Sequence, residues 1–193
     1  MHRLIFLFFT LQAVFGVTVY AQNGEKSVNP SEISFNAFDF IALGGINLMY
    51  EKYQNESLSI GGDVFARVSD EGIDRKFSST FFLRQYFGKE QGKGFFLEYF
   101  SAFVVKEDPY VYYDWCYECG PINPPERGDQ KGFSLGLGIG NKLLAKQNFV
   151  ASIYLGVGRI IFNPNVYEPL YARFGVNIGL RKTPKSQENN LEL

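Results

Sequence analysis

Large apolar and very small residues alternate along one stretch of the chain, residues 133–140, which reads FSLGLGIG. The bulky positions and the small positions between them are as follows: Phe133, Leu135, Leu137 and Ile139 alternate with Ser134, Gly136, Gly138 and Gly140. Successive side chains of a β-strand point to opposite faces of the sheet. The stretch therefore predicts a strand with one bulky apolar face and one nearly bare face. Sheets that have one face in water usually alternate apolar with polar residues instead, and glycine alone weakens a strand.

The same two-residue period recurs in three other stretches, where one face is apolar and the other is mostly small, polar or charged. The opposed sets are these: Phe149, Ala151, Ile153, Leu155 and Val157 against Val150, Ser152, Tyr154, Gly156 and Gly158; Phe174, Val176, Ile178 and Leu180 against Arg173, Gly175, Asn177, Gly179 and Arg181; Leu58, Ile60, Val64 and Val68 against Ser59, Gly61, Asp63 and Arg67. The charges thus collect on the face opposite the apolar one.

Eight strand-like stretches follow one another with no convincing amphipathic helix between them. The pattern predicts strands at 33–43, 46–54, 57–68, 77–87, 94–106, 132–144, 149–161 and 170–181. Their number is even, and most are about ten residues or longer, which suffices for a tilted strand to cross a bilayer.

The connections between these strands alternate in length. Those after the second, fourth and sixth strands are short (55–56, 88–94 and 145–148), whereas those after the third, fifth and seventh are longer (69–76, 107–131 and 162–169). Outer-membrane barrels have short periplasmic turns and long outer loops. With both termini in the periplasm, the short connections lie on that side. Gly44–Gly45 is the exception, since it predicts a tight hairpin on the outer side.

The charged face must turn inward in such a barrel, because an arginine on the lipid face near the bilayer midplane costs about 2–4 kcal/mol. An eight-stranded barrel is only wide enough for side chains to fill it, so the glycines leave room for long Arg, Glu and Tyr side chains. The sequence therefore predicts an all-β fold, an eight-stranded antiparallel up-and-down transmembrane β-barrel. The alternative is a soluble sandwich or barrel with an aromatic core.

Aromatic residues near strand ends are placed for the interfacial girdles of such a barrel. The expected girdle residues are Tyr53, Phe77, Tyr86, Phe87, Phe95, Phe162, Tyr167 and Tyr171.

The first 21 residues have the features of a secretory signal peptide. A basic start precedes an apolar run from Leu4 to Val17, and Val19–Tyr20–Ala21 resembles a cleavage site. The alternative is an uncleaved anchor, for which the interrupted run is short. We expect a periplasmic N-terminal segment at 22–32, the barrel at 33–181 and a polar tail at 182–193.

Cleavage would remove His2, the one histidine, together with Arg3, so Lys+Arg falls from 19 to 18 against 20 Asp+Glu. A net charge of −2 gives no basis for a nucleic-acid partner. The sequence predicts neither a metal nor a cofactor.

Two further segments are distinctive: GGINLMYEKY at 44–53 and the hairpin FLRQYFGKEQGKGFFLEY at 82–99. With the glycine-alternating strands six to eight, they resemble the small eight-stranded outer-membrane β-barrel proteins of Gram-negative bacteria, which are largely of unassigned function. The likeness covers 33–181 and implies an outer-membrane location with membrane lipid as a partner. It carries over no catalytic residues.

Charged residues on the inward faces form a candidate network in the lumen. Its members are Glu51, Asp63, Arg67, Arg84, Glu98, Lys142, Arg173 and Arg181. Because buried charges must be paired, we interpret the set as a structural network that fills a narrow barrel. The alternative is a polar path or gate. A more specific hypothesis pairs Glu51 with Arg84 or Arg173.

The longest connection, 107–131, contains DWCYECGPINPPERG at 114–128. Cys116 and Cys119 predict a local disulfide in an exported protein; a zinc site would need further ligands, and the mature chain has no histidine. The connection also contains candidate recognition aromatics, namely Tyr110, Tyr112, Tyr113, Trp115 and Tyr117. The alternative is an aromatic belt that continues into a merely protective loop.

These features favour a non-enzymatic outer-membrane protein with a structural or surface-binding role through its outer loops, toward an extracellular ligand or protein of unknown identity. Three alternatives remain: a narrow pore, a lipid-modifying outer-membrane enzyme, and a soluble periplasmic ligand-binding barrel. The enzyme is disfavoured because a serine nucleophile would lack the usual histidine base.

Overall fold

A computed structural model of the chain describes residues 29–69, 74–107, 129–145, 148–162 and 169–182, which form eight strands and one helix. In chain order the elements are β1 (Ser31–Asn36), α1 (Ala37–Leu43), β2 (Gly45–Tyr53), β3 (Leu58–Arg67), β4 (Arg75–Tyr86), β5 (Gly94–Glu107), β6 (Asp129–Leu144), β7 (Phe149–Phe162) and β8 (Leu170–Lys182). Each strand pairs antiparallel with the next, and β8 pairs with β1, so the sheet closes into a barrel. The predicted eight-stranded up-and-down barrel is confirmed.

Seven of the predicted strands lie within three residues of the observed ends. The short connections β2–β3, β4–β5 and β6–β7 lie at one end of the barrel, which we call the turn end. The connections β1–β2, β3–β4, β5–β6 and β7–β8 lie at the other, which we call the loop end.

The prediction of a first strand over 33–43 is wrong beyond Asn36, because residues 37–43 form α1. The Asn36 side chain caps the helix by accepting hydrogen bonds from the backbone N–H groups of Phe38 (3.1 Å) and Asp39 (3.4 Å). Gly44 ends the helix with a positive φ of 60°. The predicted tight hairpin at Gly44–Gly45 is therefore also wrong, since a helix makes this connection.

The strands are strongly staggered. Following the cross-strand pairs once around the barrel from Arg159 leads back to Phe149 on the same strand, a shift of ten residues. Stagger, tilt and diameter are linked in a closed barrel, and a barrel of eight strands has an interior that side chains fill.

The faces predicted from the two-residue period are confirmed. Leu137 on β6 is 60% exposed and Leu180 on β8 is 63% exposed, whereas Ser134, Tyr154 and Asn177 are buried in the interior. The outside of the barrel is thus apolar and the inside holds the polar side chains.

Inward glycines leave room for aromatic rings from other strands. A Cβ atom on Gly136 would overlap the ring of Phe100, and one on Gly140 would overlap the ring of Phe96. Gly175 makes room for the Tyr154 ring in the same way. Phenylalanine rings therefore occupy much of this space. The sequence predicted room for Arg, Glu and Tyr side chains but not for Phe.

Phe87 and Phe95 are exposed on the outside near the turn end, where the girdle prediction expects them. The girdle prediction is wrong for Tyr53, Tyr86 and Tyr171, which are buried. Their hydroxyl groups form hydrogen bonds inside the lumen, and this explains their inward orientation. Tyr167 and the side chain of Phe162 lie outside the described residues.

No helix in the described ranges is long and apolar enough to cross a membrane.

We expect Gly136→Val to destabilise the barrel by about 1–3 kcal/mol, the usual cost of overpacking a filled core. The added Cβ would overlap Phe100 and lie 2.5 Å from the backbone oxygen of Val157. Urea unfolding of the detergent-folded protein measures the change. Leu137→Val is the matched control on the adjacent outward position, and an equal effect of both variants would contradict the packing explanation.

Candidate functional site

Ten charged residues are buried inside the described part of the barrel, and they balance as five carboxylates and five cations. The carboxylates are Glu32, Asp39, Glu51, Asp63 and Glu98, and the cations are Arg75, Arg84, Lys142, Arg173 and Arg181. Each lies on the inward face of its strand, except Asp39, which projects from α1. The interior is therefore highly charged yet electrically neutral overall.

Near the turn end, two cations share the carboxylate of Glu32. Arg181 donates from Nε to Glu32 Oε1 at 2.7 Å, and Lys142 donates from Nζ to Glu32 Oε2 at 2.7 Å. The same Lys142 Nζ donates to Glu51 Oε2 at 2.7 Å. Lys142 thereby links two carboxylates that lie on β1 and β2.

The chain of contacts continues toward the loop end. Arg84 donates from Nη1 to Glu51 at 2.6 Å and from Nε to Glu98 at 2.8 Å. Arg173 then donates to Glu98 at 2.6 Å and, through Nη2, to Asp63. Eight charges thus alternate in sign without interruption, in the order Arg181, Glu32, Lys142, Glu51, Arg84, Glu98, Arg173 and Asp63. We call this set the charge ladder.

Hydroxyl groups complete the coordination of Glu51 in the ladder. Its Oε1 accepts from Ser59 Oγ and from Tyr86 Oη, both at 2.6 Å. Burying a charge is costly unless it is paired and its remaining lone pairs accept hydrogen bonds. The ladder meets that condition at Glu51, which is almost fully buried.

Aromatic rings fill the space beside the arginines. The Arg84 guanidinium lies 4.2 Å from the ring centroid of Phe82 and 4.6 Å from that of Phe96. Arg173 lies 4.9 Å from the centroid of Phe100. Because Arg84 and Arg173 are almost fully buried, these cation–π contacts add attraction in a desolvated setting.

The β4–β5 turn packs against the charged interior at the turn end. Arg181 donates from Nη1 to the backbone oxygen of Gln91 at 2.9 Å and from Nη2 to that of Gly92 at 3.3 Å. Gly92 has a positive φ of 64°, and a side chain there would overlap the ring of Tyr53. The glycine therefore lets the turn pack against the end of the ladder.

A separate ion pair lies near the loop end. Arg75 donates to Asp39 at 3.1 Å, and its guanidinium lies 3.8 Å from the ring centroid of Phe65. Asn36 and Asn47 also donate to Asp39. This group joins α1 to the inside of the barrel.

Seven of the eight lumen charges predicted from the sequence belong to the charge ladder. Arg67 does not, because it forms an ion pair with Glu107 at 2.8 Å in a partly exposed position at the loop end. Glu51 contacts Arg84, as one form of the hypothesis stated, and Arg173 contacts Glu98 and Asp63 instead.

Sequence reasoning missed Glu32, Asp39 and Arg75. Glu32 falls in the predicted periplasmic segment, although Glu32, Ser34 and Asn36 alternate with Ile33 and Phe35 in the same two-residue period. Asp39 was missed because residues 37–43 were predicted as a strand, whereas they form a helix. Arg75 lies two residues before the predicted start of its strand.

Several predicted features lie outside the described residues. These are the signal peptide at 1–21, the polar tail beyond Lys182, Cys116 and Cys119, and the aromatic set Tyr110, Tyr112, Tyr113, Trp115 and Tyr117. Within the described ranges, no cluster of three or more His, Cys, Asp or Glu side chains is placed to hold a metal ion.

No protein-family model matches the sequence, and no curated protein matches it. A solved structure does match: the crystal structure of the N-terminal β-barrel domain of Pseudomonas aeruginosa OprF, with a TM-score of 0.53 at 12% sequence identity. The match covers 81% of this chain and 98% of that one. The two share a fold. At this identity the likeness extends to the barrel architecture alone.

We expect Glu98→Ala to lower the free energy of unfolding by about 3–5 kcal/mol, because removing one member of a buried pair leaves its partners uncompensated. Arg84 and Arg173 would each lose one of their two carboxylate partners. Urea unfolding in detergent measures the loss.

The matched control for this substitution is Glu90→Ala, which breaks the exposed pair between Glu90 and Lys93. An exposed pair contributes at most about 1 kcal/mol. If both variants changed stability equally, the charge ladder would not be the stabilising feature described above.

Proposed function

We propose that this chain is an integral outer-membrane β-barrel protein of a Gram-negative bacterium, with a non-enzymatic structural or surface-binding role through its outer loops, chiefly 107–131. One observation carries the proposal: the barrel is apolar on its outside and charged on its inside. The partner of the outer wall is then membrane lipid.

The apolar side chains of the outer wall favour a position in the hydrocarbon core of a membrane. Large apolar side chains are exposed on all eight strands, including Ile33, Leu48, Leu155 and Val176. Soluble monomers rarely expose contiguous apolar patches larger than a few hundred Å², so a soluble periplasmic barrel is the weaker candidate. Closure of the sheet also pairs the strand backbones around the barrel up to the height where β1 ends, and a spanning structure requires such pairing.

The filled lumen favours a structural role for the barrel over a role as a pore. A channel needs a continuous aqueous path, whereas the charge ladder and the rings of Phe82, Phe96 and Phe100 fill the interior. At the turn end, the backbone oxygens of Gln91 and Gly92 accept hydrogen bonds from Arg181, the charge-ladder residue nearest that end. We therefore assign the ladder a structural role, as the polar core of the barrel.

The bases of the outer loops are braced against one another. Lys76 Nζ lies 2.7 Å from Asp129, the first residue of β6, and 3.8 Å from Glu107, the last residue of β5. A loop held at both ends on a rigid scaffold is well suited to present side chains for binding. This favours the 107–131 connection as the functional surface.

The decisive test is location together with barrel closure. We expect the protein in the outer-membrane fraction, and we expect its gel mobility to change on boiling, because a closed barrel resists detergent until it is heated. A soluble periplasmic protein with no mobility change would contradict the proposal.

A second test separates the scaffold from the narrow pore. We expect the purified protein to give no regular unitary current steps in planar lipid bilayers, because its lumen is filled by paired charges. A known porin inserted in the same bilayer is the positive control. Reproducible unitary steps from the full chain would favour the pore instead.

A further inference from the structure

At the loop end, between β8 and β2, the wall of the barrel is formed by a helix in place of a strand. β1 has six residues and β8 has 13, and their pairing stops at Asn36 opposite Asn177. The pairing of β1 with β2 stops at Phe35 opposite Leu48. Above these points, α1 occupies the place where β1 would otherwise continue.

Polar contacts fasten α1 to this gap from the inside. Asp39, which is 1% exposed, accepts from Arg75, from Asn36 at 2.9 Å and from Asn47 at 2.5 Å. Asn36 in turn accepts from the backbone N–H of Val176 at 3.1 Å. The edge of β8 is thus joined to the helix by a side chain in place of a strand.

Aromatic contacts fasten α1 on the outside. The ring of Phe38 packs edge-on against that of Phe174 at 4.6 Å, and the ring of Phe40 packs against that of Phe35 at 5.7 Å. Phe35 and Phe174 lie on the outward faces of β1 and β8. The Phe38 and Phe40 side chains therefore lie on the outer side of the barrel.

The free face of α1 is apolar throughout. Asp39 is the one charged residue of the helix, and it is turned inward. Within the described part of the chain, Phe40 remains 54% exposed and Ile41 81% exposed. This face continues the apolar wall formed below it by Leu48 on β2 and Ile178 on β8.

We infer that α1 is an interfacial helix whose Phe40 and Ile41 side chains insert among the acyl chains of the outer leaflet, just beneath the headgroups. The inference deepens the proposed function and rests on it. An apolar helix face that lies along a membrane is buried at the boundary between the headgroups and the acyl chains, and α1 lies at the loop end of the barrel with Phe40 and Ile41 exposed. The occupant of the surface is lipid.

A second copy of the chain is a poorer occupant for this surface. Two large side chains expose on the order of 200–300 Å², given about 150–250 Å² for a whole aromatic side chain. A stable interface needs roughly 800 Å² on each partner. Lipid needs no such minimum area, since it already surrounds the adjoining wall.

Tryptophan fluorescence in brominated lipid vesicles tests the inference. The chain has one tryptophan, Trp115, so Trp115→Phe gives a silent background. In that background Ile41→Trp is the helix reporter, Leu137→Trp is the wall reporter at the middle of the barrel, and Asp74→Trp is the loop reporter on the exposed connection at the same end as α1. The full chain is folded into phosphatidylcholine vesicles with bromine either near the headgroups or near the chain ends.

We expect shallow bromine to quench the helix reporter at least twofold more than deep bromine does, and deep bromine to quench the wall reporter more than shallow bromine does. The loop reporter should show little quenching by either lipid. Phe40→Trp provides a second helix reporter if Ile41→Trp fails to give the heat-sensitive folded band.

The outcomes separate the inference from the proposed function. If the wall reporter is quenched but neither helix reporter is, α1 stands clear of the lipid and the inference is overturned while the barrel remains a membrane protein. If neither the wall reporter nor the helix reporters are quenched in folded protein, the membrane assignment itself fails. Helix reporters quenched as in the expected pattern support both.

Discussion

Pairing of opposite charges inside the lumen is the constraint on which the rest of this structure depends. Each arginine or lysine of the charge ladder contacts at least one carboxylate, and three of the four contact two. A buried charge without a partner is strongly destabilising, so the strands must present these side chains at matching heights. The register of the strands therefore determines which charges can pair inside the barrel.

Glycine and aromatic residues determine how the interior of the barrel is packed around these charges. The inward glycines of β6 leave space for the rings of Phe96 and Phe100, which lie over the inner face of that strand. Those rings in turn flank Arg84 and Arg173, which are almost fully buried. The bare face that first distinguishes residues 133–140 is thus required by side chains that belong to another strand.

The strands and their faces could be predicted from the sequence because a two-residue period is local. Leu137 faces outward and Glu98 faces inward, whatever lies across the barrel. The partners could not all be predicted, because contacts such as Lys142 with Glu32 join strands that are distant in sequence and depend on the stagger.

The helix at 37–43 was missed because its alternating aromatic residues imitate a strand; the cap residue Asn36 and Gly44 were the contrary signals. Tyr53 and Tyr86 face inward for a reason their position near strand ends does not reveal, namely hydroxyl contacts with Glu32 and Glu51.

The contact between Glu32 and Arg181 lies across the seam where the first strand meets the last, and the two residues are direct cross-strand partners. A slip of one residue at this seam would turn one of the two charges toward the outside, since neighbouring side chains point to opposite faces. A slip of two residues would keep both inside but make them diagonal neighbours, about 7–8 Å apart, in place of directly opposed partners. The ion pair at the seam therefore favours the observed register of the first and last strands, most strongly over a one-residue slip.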